Sequence, residues 1–195
     1  MYHVPYVYPY QNPYYIGPKY NYEKHYDHWT TPNVTRSVNR SDLGSFNNHG
    51  GFFLTDYGPK PLVVNINEVT KQNNTYRTAL WTGSHLQVTL MSIDVGQDIG
   101  IEMHPNVDQF LRIEQGQGIV QMGNSEDNLN FRKYVYDDSA IMIPAGTWHN
   151  LTNTGNVPLK LYSIYAPPNH PFGTVHVTKA EALAAEKSHV HSPGR

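Results

Sequence analysis

Two histidines and a carboxylate are of types, and stand at spacings, that could do chemistry. In the run DSAIMIPAGTWHNLTN, Pro144, Gly146, His149 and Asn153 keep the pattern P-x-G-x-x-H-x-x-x-N. Pro and Gly at that spacing make a tight turn, so His149 begins the strand that follows it. Upstream, Glu102 and His104 lie two residues apart. On a strand such a pair shares one face, and Met103 points the other way. The chain has 0 cysteines. Disulfides, thiolate nucleophiles and zinc-thiolate sites are therefore excluded, and any bound metal must be held by nitrogen and oxygen.

The Pro144 to Asn153 pattern resembles the second motif of the cupin superfamily, whose histidine binds a metal. That motif carries a glycine six residues before the proline. Here the position is Asp138, one of the few non-glycine types that tolerate a left-handed turn. The first cupin motif, roughly G-x5-H-x-H-x(3,4)-E-x6-G, is matched by Gly96, Glu102, His104, Gln109 and Gly116, with two of its ligand positions substituted.

The resemblance implies a ligand set of Glu102, His104, Gln109 and His149. Two imidazoles, a carboxylate and an amide are similar to the two-histidine, one-carboxylate sites of non-haem iron. The implied cofactor is a divalent transition metal, with Fe, Mn, Zn, Ni and Co all compatible. Asp108 is an alternative to Gln109 if the strand register differs, and the spacing to Gly116 favours Gln109. The competing expectation is a metal-free barrel in which His104 and His149 are hydrogen-bonded interior groups. His85, His170 and His176 have no partner at telling spacing and are expected to be ordinary core or surface residues. The tail pair His189 and His191 makes at best a weak site. Trp148 and Phe110 could line a pocket, although aromatics in small barrels usually pack.

These residues need strands to position them. HLQVTLMSI alternates, with Leu86, Val88 and Leu90 on one face and Gln87, Thr89 and Met91 on the other. Further strand-like runs are PLVV, IGIEMH, QFLRIEQGQGIVQM, FRKYVY, SAIMIP, HNLTN and LKLYSIYA, separated by turn clusters such as GNSEDN and NTGN. Closely spaced short strands predict an all-β fold. With the motifs above, the expectation is a single cupin (jelly-roll) β-barrel. Asn65 with Glu68, and Thr178 with Glu181, have capping-box spacing and predict a short helix before the barrel and a helix after it. The expected organisation is an extension over 1–52, the barrel over 53–178 and a helix with a tail over 179–195.

The extension differs in composition from the rest. Nine of the 15 tyrosines precede residue 30, interleaved with prolines. With so few aliphatic residues it cannot offset its own ordering entropy and is expected to be flexible. Its composition resembles the Tyr/Pro/Asn-rich stretches of bacterial spore-coat proteins, which implies coat-protein partners reached through this arm.

Lys and Arg number 14 against 16 Asp and Glu, a net charge of -2. No excess positive charge is available to neutralise phosphates, so nucleic acid is not an expected partner. No apolar run approaches the ~20 residues of a membrane span, and no secretory leader is evident. A soluble, cytoplasmic protein is expected, with deposition on the spore coat as the variant that the arm suggests. The barrel shows no basic cluster, and Arg112 should point outward between Leu111 and Ile113. A site without a charged anchor suggests a small neutral or chelating ligand. The functional expectation is a metal-dependent isomerase or dioxygenase acting on a small organic or sugar-like molecule. Its alternative is a non-catalytic, coat-associated binding cupin. Small barrels of this kind commonly pair, so a homodimer is expected in either case.

Overall fold

The computed structural model describes residues 52–190. The Tyr/Pro-rich extension up to residue 51 and the side chains of the tail pair His189 and His191 lie outside the described residues.

Among the described residues nine strands and two helices follow in order: α1 (Ile66–Gln72), β1 (Arg77–Thr82), β2 (Gln87–Ile93), β3 (Asp108–Gln115), β4 (Gln117–Gly123), β5 (Phe131–Tyr136), β6 (Ala140–Ile143), β7 (Trp148–Asn153), β8 (Leu159–Ala166), β9 (Val175–His176) and α2 (Lys179–Val190). The strands make a six-stranded sheet ordered β6-β3-β8-β2-β1-β9 and a three-stranded sheet ordered β5-β4-β7. All named pairs are antiparallel. This is the expected jelly-roll architecture.

The alternation expected of β2 sorts its side chains between two apolar layers. Met91 and Ile93 enter the cluster between the sheets, with Leu111, Ile113, Val120, Leu151, Leu159 and Leu161. Leu90 turns to the opposite face, where it packs with Phe52, Val69 and Leu80 beneath α1. A fully buried Leu or Ile contributes about 1.5–3 kcal/mol, so the inner cluster dominates the stability of the barrel.

The turns follow the expected backbone chemistry. Gly96, Gly116 and Gly146 have φ of 75°, 91° and 77°, and among the described residues Asp138 is the non-glycine residue with positive φ, at 67°. Gly116 breaks the run QFLRIEQGQGIVQM into β3 and β4. Asn65 caps α1 by accepting from the Glu68 N–H at 3.3 Å. At α2 the box is displaced by one residue: Thr178 accepts from the Glu181 N–H, but the Glu181 carboxylate receives the N–H of Val177.

Three expectations about strands change. PLVV is extended but unpaired, because Leu62 and Val64 lie against the layer beneath α1 while Val63 faces solvent. IGIEMH is an irregular loop pinned by one bridge between Glu102 and His149, since Gly100 takes φ of 86°. The strand β1, RTALWT, was not expected. Both of its faces are covered, so no polar alternation marks it.

Candidate metal centre

The turn at Pro144 to Gly146 joins the two motifs through the backbone. The Gly146 N–H donates to the His104 carbonyl at 2.8 Å. Glu102 and His149 exchange both main-chain hydrogen bonds, at 3.0 and 2.9 Å. An irregular loop is thus held in register with β7, and three side chains are directed to one place.

One ligand atom from each of Glu102, His104 and His149 lies within 4.8 Å of the others. The Nε2 atoms of His104 and His149 stand 3.5 and 3.3 Å from the Glu102 Oε1. Neither ring nitrogen is aligned for a hydrogen bond, and both are buried without a partner among the described residues. Buried polar atoms left unpaired cost about 1–3 kcal/mol each. Donors that converge on a common point without satisfying one another fit a cation placed between them.

The tautomer of His149 agrees with that fit. Its Nδ1 donates to the Thr147 carbonyl at 2.9 Å, and a carbonyl can only accept, so the lone pair sits on Nε2. Burial alone would raise the pKa of the Glu102 carboxyl. Protons on the facing nitrogens of His104 and His149, carried when no cation is present, and the Arg77 guanidinium outweigh it and hold the group well below the usual carboxylate range. It is an anion at neutral pH, as a metal ligand must be.

Gln109 is buried on the inward side of β3. Its amide nitrogen donates to the Ser163 hydroxyl at 3.1 Å, and its Oε1 is buried without a partner among the described residues. Across the ladder it faces Tyr165, whose ring meets that of His104 edge-on at 5.7 Å. Asp108 is exposed and accepts from the Ala145 N–H at 2.9 Å, so the register that would have made it a ligand is not the one adopted.

A cavity of about 570 Å³ opens beside the cluster, lined by residues that include Glu102, His104, His170, His176 and Glu186. His170 and His176, expected to be ordinary, arrive through the connection after β8. Burial, followed by the nearby Arg77 charge, lowers the His170 pKa to about 3. Met103, expected to point away, also lines the cavity. Trp148 and Phe110 do not line it; Phe110 lines a second cavity, of about 420 Å³, with Asp108 and Gln109, and packs near Tyr162, with ring centroids 6.1 Å apart.

The structure places a further charge near the site, on Arg77, which is not among the residues that line the cavity. Only 1% of it is exposed, and it lies close enough to Glu102, Tyr165 and His170 to shift their titration. Sequence patterning had no means of finding it, because it enters on the unmarked strand β1. Arg112 does point outward as expected, to Glu114 and Asp138.

Comparison with known proteins agrees with this architecture. Residues 89–165 match the family model described as a cupin domain. The YrkC protein of Bacillus subtilis (strain 168), described as uncharacterized, is 71% identical over 160 residues, which cover 82% of this chain and 86% of that one. The uncharacterized protein L612 of Acanthamoeba polyphaga mimivirus is 40% identical over 121 residues, 62% of this chain and 74% of that one. The crystal structure of BH2720 from Bacillus halodurans superposes with a TM-score of 0.66 at 69% identity, covering 67% of this chain and 98% of that one. Fold, motif geometry and the family model agree: the chain belongs to the cupin superfamily.

Proposed function

We propose that the barrel is a metal-dependent enzyme acting on a small organic molecule, by dioxygenation or isomerisation. The observation that carries this reading is the convergence of Glu102, His104 and His149, within 4.8 Å of one another, on the wall of an open cavity. A divalent transition metal held by these residues supplies Lewis acidity toward an oxygen of the bound molecule and, if it is iron, a redox centre for dioxygen.

The chain's own residues prepare the rest. Gln109 offers its unpaired Oε1 as a fourth donor. His170, kept neutral by burial, and His176 place imidazoles on the cavity wall, where they can hydrogen-bond and orient the substrate. Tyr165, held protonated by burial, stacks edge-on between His104 and His170 and fixes both rings.

A purely structural centre is normally closed to solvent, whereas a catalytic one keeps an open position. Here the side chains of Glu102 and His104 keep 18% and 14% exposure beside the cavity, which supports catalysis over mere stabilisation. The test is to load the protein in turn with Fe(II), Mn(II), Zn(II) and Ni(II). Each form is incubated with small organic acids and sugars, with oxygen uptake and NMR of the products as readouts. Turnover that is lost in His149→Ala is the expected result. Equal product formation in His149→Ala would overturn the proposal.

A further inference from the structure

Arg77 faces the barrel interior from β1, opposite Met91 of the inner cluster on one side and His176 of the cavity wall on the other. A guanidinium carries five N–H donors. The hydrogen bond found for it among the described residues runs from Nη1 to the Glu186 carboxylate at 3.3 Å. That is long for a charge-assisted contact, which is typically about 2.7–2.9 Å. Its Nε is buried with no partner among the described residues, and the Tyr76 ring lies 5.5 Å from the guanidinium carbon. A buried cation this poorly satisfied is costly unless a better anion is available.

Glu186 is a weak occupant of that position. It projects from α2 into the lining of the cavity, and its side chain remains 50% exposed. A half-exposed carboxylate making one long contact is easily exchanged for another anion. The charge balance points the same way. Glu102 is the other carboxylate near the guanidinium, and in the reading above it serves the metal, so the weakly held Glu186 is what remains to balance Arg77.

We infer that the cavity takes a small organic carboxylate, whose carboxylate group displaces Glu186 and forks onto Arg77 while the rest of the molecule lies against Glu102 and His104. Arg77 is then the specificity-determining residue, and Glu186 on α2 is a stand-in that closes the site when it is empty. This inference rests on the metal-centre reading for the orientation of the ligand, but not for the anion contact itself.

Malonate is the probe, with malonamide as its neutral counterpart. Binding to the full chain is measured by calorimetry, once after chelator treatment and once after incubation with Zn(II), and metal content is determined in parallel. Saturable malonate binding with no malonamide binding is expected. Glu186→Gln removes the competing charge and should tighten malonate binding several-fold. Arg77→Gln should weaken it by more than about tenfold, the equivalent of losing one hydrogen bond to a charged group. Arg77→Lys keeps the charge and loses the fork, so it guards against misfolding and should still weaken binding. Binding that is absent in both wild type and Glu186→Gln, or unchanged in Arg77→Lys, overturns the inference. Stoichiometric zinc without malonate binding leaves the centre standing and removes the carboxylate. Arg77-dependent malonate binding in a protein that never retains metal does the reverse.

Discussion

The Nδ1 of His149 donates to the carbonyl of Thr147, two residues back along the chain, at 2.9 Å. That bond sets the tautomer, and the main-chain pair between His149 and Glu102 sets the position of the ring against the carboxylate. The three ligand atoms are therefore gathered within 4.8 Å of one another by the chain's own hydrogen bonds.

Gln109 supplies a graded test of the donor set. Gln109→Glu restores the charge that the first cupin motif carries at this position. It is predicted to raise zinc affinity about tenfold or more, because a carboxylate replaces a neutral amide. Stability of the metal-free protein should fall, since the new charge is buried without a counter-ion. Chelator competition and thermal unfolding measure the two effects, and unchanged affinity would place Gln109 outside the centre.

Lys160 ties β8 to the end of α1. Its ammonium donates to the carbonyls of Lys71 at 2.8 Å and Asn73 at 2.6 Å and to the Asn74 amide oxygen at 2.8 Å. Burial lowers its pKa from the usual lysine value. Lys160→Met is predicted to cost about 2–3 kcal/mol, because three acceptors lose a charged donor. A lower urea midpoint at unchanged slope is the expected signature.

Asp138 holds φ at 67° and pairs its carboxylate with Arg112 at the surface. Asp138→Gly should stay within about 1 kcal/mol of wild type, because relief of the left-handed backbone offsets a weak exposed ion pair. Asp138→Val has no such compensation and should destabilise by about 2 kcal/mol. Equal stabilities for the two variants would remove the backbone argument.

His170 gives the protein a pH dependence of predictable sign. Its folded pKa, about 3, lies below the ordinary value of 6.5. Between those values the unfolded chain binds a proton that the folded chain refuses, so stability is fully present above about pH 6.5 and falls as the pH drops toward 3. From pH 6.5 to pH 5 the loss from this group is at most about 2 kcal/mol. Chemical denaturation of His170→Gln across that interval should show a shallower decline than wild type. An identical slope would contradict the assignment.

How far the sequence carried the argument depended on whether the signal was local. The β2 alternation, the cap at Asn65 and the left-handed Asp138 all follow from a few neighbouring residues, and each appears in the structure. The convergence of Glu102, His104 and His149 was legible because short spacings set two of them on one loop and the third just after a turn. Arg77 was hidden for the opposite reason. β1 packs through Leu80 against the layer of Phe52, Val69 and Leu90 on one face and covers the barrel interior on the other, so its pattern carries no polar face. His170 and His176 reach the cavity only through the path taken after β8, which is a property of the tertiary fold. The PLVV segment shows the converse error: β-branched residues read as a strand, but its extended backbone finds no ladder to join.

The most direct test of the metal centre is elemental analysis of untagged protein, comparing wild type with His104→Ala and His149→Ala. The account predicts about one transition-metal ion per wild-type chain and its loss in both variants while the fold is retained. Wild-type protein that holds no metal after incubation with Fe, Mn, Zn or Ni, or variants that keep it in full, would contradict the account.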